Sequence, residues 1–119
     1  MLRHLFIGIS LLLGPAATFA QDWPQRPVRL IVPYAAGGGT DTIARVLAQK
    51  LGDAFGQRFV VENKTGASGM IGAQTVARGD ADGYTYLVAS PAEIALNQNL
   101  FKDMAYDPLT DLAPVTLLA

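Results

Sequence analysis

Short apolar runs typical of buried β-strands alternate along the chain with apolar residues at helical spacing. The run Val28–Val32 is rich in β-branched residues and ends at a proline, which predicts a buried strand. Similar runs predict three further strands, at residues 59–61, 84–89 and 113–118.

Helical patterns fill the intervals between these strands. Apolar residues recur every three or four positions from Thr40 onwards, and Gly56 supplies a stop signal, which predicts a first helix between them. A helix of small residues is predicted to run through about Ala77, and a short helix to follow Pro91. The resulting order β-α-β-α-β-α-β predicts an α/β fold with a mostly parallel sheet and helices on its faces.

The last predicted strand runs directly into Ala119, with no further element to cover it. A strand of a parallel sheet is normally buried on both faces. We therefore expect the chain to be a truncated portion of a larger protein, with a complete small α/β domain as the alternative.

The first twenty residues have the features of a secretory signal peptide. A short basic start precedes an apolar run from Leu5 to Leu13, which is too short to span a bilayer. Pro15 breaks the run, and small residues at Thr18 and Ala20 suit a cleavage site. We expect cleavage after Ala20 and export to the periplasm; the alternative is a buried N-terminal helix, which Pro15 would end abruptly.

The composition argues against most catalytic chemistry. The 119 residues contain no cysteine and a single histidine, His4, which the cleavage would remove. Without either residue type, the mature chain cannot form a Ser-His-Asp or Cys-His centre or a histidine-ligated metal site. The balance of 9 basic and 10 acidic residues also argues against nucleic-acid binding. We expect a protein that is not an enzyme and has no cofactor and no metal.

A glycine-rich segment at residues 33–41 joins the first strand to the first helix, where ligands bind in open α/β sheets. Its glycines would let backbone N–H groups approach an anion at a helix N-terminus. Alternatively, the glycines only form a tight turn while Thr40 or Asp41 caps the helix. A carboxylate at Asp41 disfavours a bound anion, but it could cap the helix or accept hydrogen bonds from a ligand or a water.

Two further loops resemble the first in chemistry. Residues 65–69 again present small residues ahead of a helix. Residues 90–93 form a capping box, so the Ser90 hydroxyl could simply cap this helix and bind no ligand. No dinucleotide or phosphate-loop motif is complete, since Thr42 occupies the last glycine position of the former. Because all three loops follow parallel strands, we expect them to converge into a cradle for a small polar ligand.

Several motifs together resemble one family. The segment 23–41, followed by Ala44-Arg45, is similar to the opening of the Bug-type solute receptors of tripartite tricarboxylate transporters. Matches continue in order along the mature segment, at residues 61–63, 66–69, 71–73, 82–85, 106–108 and 111–115. Each motif is unspecific on its own; the ordered set carries the resemblance.

The resemblance implies a periplasmic-binding-protein-like fold, a Venus flytrap of type II, of which residues 21–119 form the N-terminal part of the first lobe. It implies a monomeric periplasmic receptor that captures a small organic acid, carboxylate or dicarboxylate, for the integral membrane subunits of a tripartite tricarboxylate transporter. The ligand-binding positions that it implies are Tyr34, Ala36, Gly37, Gly38, Thr40, Asp41, Ala67, Ser68 and Ser90.

Two cations near these loops, Arg45 and Lys64, are expected to be solvated or packing residues rather than carboxylate clamps. Position 36 is often proline in the family and is Ala36 here, which implies a less rigid first loop. Two other functional interpretations stay open: an extracytoplasmic α/β enzyme, and a truncated gene product without activity of its own.

Overall fold

The computed structural model describes residues 22–118. The predicted signal peptide, residues 1–20, lies outside the described residues. The described chain forms three strands, β1 (Val28–Val32), β2 (Phe59–Asn63) and β3 (Thr85–Leu87). Its helical elements are α1 (Gly39–Phe55), a tight turn at Ala67–Gly69, α2 (Met70–Ala77), a π-helical segment at Ala92–Leu96, and α3 (Asn97–Leu100).

The strands form one parallel sheet in the order β2-β1-β3. In the centre, Ile31 lies opposite Glu62 on one side and Leu87 on the other. The central position explains the continuous apolar sequence of β1, since four of its five residues are buried. The carboxyl ends of all three strands therefore meet at one edge of the sheet, which we call the carboxyl edge.

Helix α1 covers one face of the sheet and supplies much of the core. Ala44 and Ala48 pack there against Leu30, Val32 and Val88. The small alanine side chains let the helix lie close to β1, and this packing holds the amino end of α1 directly behind the loop that follows β1.

The prediction of α1 is confirmed, with the helix beginning one residue earlier than expected, at Gly39. It ends where expected, because Gly56 adopts a left-handed conformation (φ 66°) and its N–H bonds the carbonyl of Gly52 at 2.9 Å. Strand β3 is shorter than the predicted 84–89, and β2 extends two residues further, to Asn63.

The predicted fourth strand at 113–118 is wrong for the described chain. These residues form no ladder with β1, β2 or β3, and they are exposed, with Leu117 at 88%. An apolar run becomes a strand only where a neighbouring strand satisfies its backbone groups, and residues 22–118 provide none for this segment.

At the amino end of the sheet, Trp23 packs edge-on against Phe55, Phe59 and Tyr86, and its indole N–H donates to the Gly83 carbonyl at 3.0 Å. This aromatic cluster closes the end of the sheet opposite the candidate site. None of the helices within residues 22–118 combines the length and the apolar character that a membrane span requires.

Candidate functional site

The loop after β1, residues 33–38, is largely exposed at the carboxyl edge. Residues 35–39 are all exposed, whereas Pro33 before them is buried. Helix α1 has Gly38 as its N-cap and no side-chain capping hydrogen bond, so neither Thr40 nor Asp41 occupies the capping position. The N–H groups of Gly39, Thr40 and Asp41 donate to no acceptor among residues 22–118. Because Asp41 is buried, the Gly39 and Thr40 amides are the two that the positive end of the helix can offer to a ligand.

Asp41 is buried, at 2% exposure, and its carboxylate holds this loop in place. Oδ2 accepts the Gly37 amide and the Arg45 Nε, each at 2.8 Å, and Oδ1 accepts the Asn63 amide at 2.9 Å. The Arg45 guanidinium, followed by the Gly37 and Asn63 amides, keeps the pKa of the Asp41 carboxyl well below its ordinary value. The Gly37 N–H is therefore already satisfied within the protein.

The pairing of Arg45 with Asp41 agrees with the expectation that Arg45 is not a carboxylate clamp. Its Nε bonds Asp41 four residues earlier on the same helix, while the side chain is 55% exposed. The cation thus neutralises the buried carboxylate at the start of α1.

The loop after β2 has an unusual backbone. Four consecutive residues have positive φ: Gly66 at 123°, Ala67 at 48°, Ser68 at 54° and Gly69 at 83°. Ala67 and Ser68 are exposed side chains in a left-handed conformation, which costs of order 1 kcal/mol or more for each residue. The Asn97 side chain anchors this turn, since its amide donates to the Ser68 carbonyl at 2.9 Å.

The loop after β3 forms the predicted capping arrangement. The Ser90 Oγ accepts the Ala92 N–H at 3.2 Å, and the Glu93 Oε2 accepts the Ser90 N–H at 2.7 Å. Glu93 is completely buried, although charged residues are rarely found inside proteins. The side chain lies against the backbone of Gly69, where any Cβ would come within 2.0 Å of Oε1.

Tyr34, in the loop after β1, connects this first loop to the third. Its hydroxyl lies 2.8 Å from the Ser90 Oγ and donates to the Glu93 Oε1. Burial, and next the hydrogen bond to Glu93, raise the pKa of the Tyr34 hydroxyl, so it stays protonated at neutral pH. The Tyr34 carbonyl also accepts the Asn63 amide at 2.9 Å, which connects the first loop to β2.

The structure therefore brings the three loops to one edge, as the parallel order predicts. All nine candidate residues lie on these loops or on the first turn of α1. Asp41 differs from the rest because it is buried, and Tyr34, Thr40 and Ser90 are half-buried, while the other five are exposed.

Three residues that connect the loops were not selected from the sequence: Asn63, Glu93 and Asn97. Glu93 was identified only as a helix cap, and Asn63 only as part of a family motif. A polar residue directly at the end of a buried strand, as at Asn63, is a signal that could have been used. Asn97 lies within a helical pattern and gives no such signal.

A separate open groove of about 600 Å³ lies beside β2, away from the three loops. It is bounded by the second half of α1 and by Phe59 and Val61 of β2, and only Arg45 belongs to both regions. The groove is large, but it offers no convergence of loop amides, so we place the candidate site at the carboxyl edge.

Comparisons with known proteins point to one family of receptors. Residues 43–119 match the family model described as the tripartite tricarboxylate transporter family receptor. Protein BugT of Bordetella pertussis is 42% identical over 115 residues, which are 96% of this chain and 35% of that protein.

Solved structures give the same result. Rpa4515 of R. palustris, solved with adipate, is 46% identical, with a TM-score of 0.73 over 75% of this chain and 30% of that one. MatC of Rhodopseudomonas palustris, solved with bound malate, is 38% identical, with a TM-score of 0.77 over 81% of this chain and 33% of that one. This chain spans about a third of the length of the curated relatives it matches.

Proposed function

This chain belongs to the receptor family of the tripartite tricarboxylate transporters, and we propose that its carboxyl edge is one side of a binding site for a small carboxylate. The observation that carries the proposal is the exposed loop between β1 and α1, whose first-turn amides at Gly39 and Thr40 have no acceptor within residues 22–118. Such amides at a helix N-terminus stabilise a negative charge. The adipate and malate held by the two Rhodopseudomonas relatives support the same ligand class.

In the proposed site, the amides of the first loop bind a carboxylate of the ligand. Ala36 and Thr40 contribute backbone N–H groups, and the geometry adds Gly39 to them. Gly38 is the N-cap that positions these amides, because its own N–H already donates to the Ala35 carbonyl at 3.4 Å. Gly37 and Asp41 act indirectly, because their hydrogen bond to one another holds the loop. The exposed turn at Ala67 and Ser68 forms a second wall, and Tyr34 and Ser90 form the third.

The rest of the proposal concerns the whole protein. Residues 1–20 direct export to the periplasm, and residues 21–119 form the N-terminal part of the first lobe of a two-lobed receptor. The receptor acts as a monomer without catalytic activity and delivers its ligand to integral membrane subunits of a tripartite tricarboxylate transporter. These statements are supported by the family membership and by the signal-peptide pattern.

The binding test needs a complete cleft. We define a hybrid receptor in which residues 22–118 of this chain replace the matching segment of the malate-bound Rhodopseudomonas relative. Isothermal titration of the hybrid against a panel of mono-, di- and tricarboxylates is expected to give saturable binding of at least one acid. A hybrid that unfolds as cooperatively as the parent relative but binds no acid in the panel would contradict the proposal, as would hydrolytic turnover of an ester panel.

Two substitutions at one position test the role of the loop amides. Gly39→Pro removes a single N–H at the first helical position, where proline is well tolerated, and Gly38 before it is already extended (φ −77°, ψ 173°). We expect Gly39→Pro to weaken binding of the acid about tenfold or more, the effect of one charge-assisted hydrogen bond.

Gly39→Ala is the matched control, because it keeps the N–H, and its Cβ meets no protein atom within 4 Å. We expect it to bind within about threefold of the unmodified hybrid, well short of the loss of a charge-assisted hydrogen bond. Equal affinities of the proline and alanine variants would show that this amide does not contact the ligand.

A further inference from the structure

The hydroxyls of Tyr34 and Ser90 and the carboxyl of Glu93 form a closed triangle of polar contacts at the carboxyl edge. The Tyr34 oxygen lies 2.8 Å from the Ser90 Oγ, the Ser90 Oγ lies 3.0 Å from the Glu93 Oε2, and the Tyr34 hydroxyl contacts the Glu93 Oε1. Glu93 is fully buried, whereas Tyr34 and Ser90 are half-buried. The Glu93 carboxyl is therefore shielded from a ligand, whereas the two hydroxyl groups belong to residues that are partly exposed at this edge.

Each of the three contacts needs one hydrogen atom, and the three side chains together supply at most three such hydrogens. The two hydroxyls supply one hydrogen each, and Glu93 supplies a third only if its carboxyl is protonated. The number of hydrogens therefore never exceeds the number of contacts, whichever form Glu93 takes. No hydroxyl hydrogen is left to point outward, so the triangle presents only lone pairs to a ligand.

Of the two hydroxyl oxygens, only that of Tyr34 keeps a free acceptor position. The Ser90 Oγ already has three partners, since it also accepts the Ala92 N–H at 3.2 Å. A hydroxyl oxygen has one hydrogen and two lone pairs, so three partners fill it. Among residues 22–118 the Tyr34 oxygen has two partners, Ser90 and Glu93, which leaves one of its lone pairs unused.

Resting on the proposed function above, we propose that Tyr34 is a specificity-determining acceptor, which selects acids that carry a hydrogen-bond donor beside the carboxylate. The carboxylate itself bonds the amides of the first loop. A carboxylate oxygen against Tyr34 would place two lone pairs in contact, which is unfavourable. A hydroxyl or ammonium group there donates to the tyrosine oxygen, so 2-hydroxy and 2-amino dicarboxylates are preferred over unsubstituted ones.

A ligand series on the unmodified hybrid receptor tests the preference without any substitution. The series is succinate, malate, aspartate and 2-fluorosuccinate, all with the same two carboxylates. Malate and aspartate carry a donor at position 2, and 2-fluorosuccinate carries a substituent of similar size without one. We expect malate or aspartate to bind about tenfold more tightly than succinate and 2-fluorosuccinate, because one hydrogen bond changes an affinity by about this factor.

Tyr34→Phe tests the residue, because it removes the acceptor oxygen and keeps the ring. We expect the ratio between malate and succinate affinities to fall to about two or less. Tyr86→Phe is the matched control, since the Tyr86 hydroxyl lies beside Gly83, at the other end of the sheet. It should keep the full ratio.

The outcomes separate this inference from the proposed function. If succinate and 2-fluorosuccinate bind as tightly as malate and aspartate, or if Tyr34→Phe keeps the ratio, the inference is overturned while the carboxylate site stands. If the folded hybrid binds none of the four acids or any other acid of the panel, the proposed function itself is overturned.

Discussion

Asp41 carries a negative charge at the start of α1, where an anionic ligand is proposed to bind a few residues away. Its carboxylate accepts hydrogen bonds from Gly37, Arg45 and Asn63, and these contacts join the first loop, the helix and the end of β2. Because the Arg45 Nε lies 2.8 Å from the Asp41 Oδ2, the two side chains together carry little net charge. The carboxylate can therefore organise the loop without repelling an acid bound by the neighbouring amides.

The lowered pKa of Asp41 predicts a specific dependence of stability on pH. A carboxyl whose pKa is lower in the folded state stabilises the fold fully at pH values above its ordinary pKa, near 4. That contribution declines as the pH falls below this value towards the folded-state pKa. Asp41→Asn removes the charge, so the variant should melt at a lower temperature than the unmodified chain at pH 7, and the difference should shrink between pH 5 and pH 2.

Thermal unfolding of the full chain, followed by the fluorescence of Trp23, its only tryptophan, measures this effect. Asp53→Asn is the matched control, because Asp53 lies exposed on the same helix and none of the hydrogen bonds within residues 22–118 involves its side chain. At each pH, Asp53→Asn should melt at nearly the same temperature as the unmodified chain. A difference between Asp41→Asn and the unmodified chain that stays constant down to pH 2 would contradict the assignment.

At the scale of elements, the second loop depends on a glycine that the sequence does not distinguish from its neighbours. Gly69 has φ +83°, and a Cβ at this position would overlap the Glu93 carboxyl, at 2.0 Å from Oε1. The buried Glu93 cannot move away without breaking its bonds to Ser90 and Tyr34. We therefore predict that Gly69→Ala destabilises the chain by about 2 kcal/mol or more.

Gly52→Ala provides the contrast, because Gly52 lies inside α1 with ordinary helical geometry. Its nearest neighbour would be the Gln57 carbonyl oxygen, at an unstrained 3.4 Å. Alanine is a better helix former than glycine, so this variant should be as stable as the unmodified chain or more stable by up to about 1 kcal/mol. Urea unfolding of both variants gives the comparison, and equal stabilities would contradict the close packing of Gly69 against Glu93.

The elements most accessible from sequence are those whose signals are local. Strand β1 and helix α1 follow from an apolar run and a 3.6-residue period with a glycine stop, and their ends are confirmed to within one residue. The convergence of the loops follows from the parallel order alone. The site could therefore be located by topology before any side-chain contact was known.

What the sequence could not predict depends on partners distant along the chain. The left-handed turn at Ala67 and Ser68 is formed by residues that ordinarily avoid this conformation, and Asn97, 29 residues away from Ser68, anchors it. The segment 113–118 has the composition of a strand, but strand formation also requires a neighbouring strand, which composition does not reveal.

For the whole molecule, residues 113–118 contribute little to the stability of the described chain. Val115 and Leu117 are 74% and 88% exposed, and the segment pairs with none of the three strands. Deleting residues 113–119 should therefore leave the melting temperature of the chain nearly unchanged, within about 2 °C, a shift of well under 1 kcal/mol for a domain of this size. It should also lower the binding of the apolar dye ANS, because exposed leucines are removed. A large loss of stability on deletion would show that the segment packs against the sheet.

The affinity of the full chain, compared with that of the hybrid receptor, tests whether the carboxyl edge is one side of a larger cleft. The candidate loops form an exposed edge, and the chain spans about a third of its relatives' length. Small-ligand sites usually bury most of the ligand surface, and a ligand on one open wall stays largely hydrated, which weakens every hydrogen bond to it.

We therefore predict that an acid bound by the hybrid binds the full chain at least about 100-fold more weakly. This difference equals the free energy that roughly two hydrogen bonds contribute to binding. Ligand-observed NMR at millimolar acid detects such weak binding, and the Gly39→Pro variant of the full chain should reduce the signal further. Micromolar binding by the full chain alone would mean that these three loops form a complete site, and the two-lobed interpretation would then be wrong.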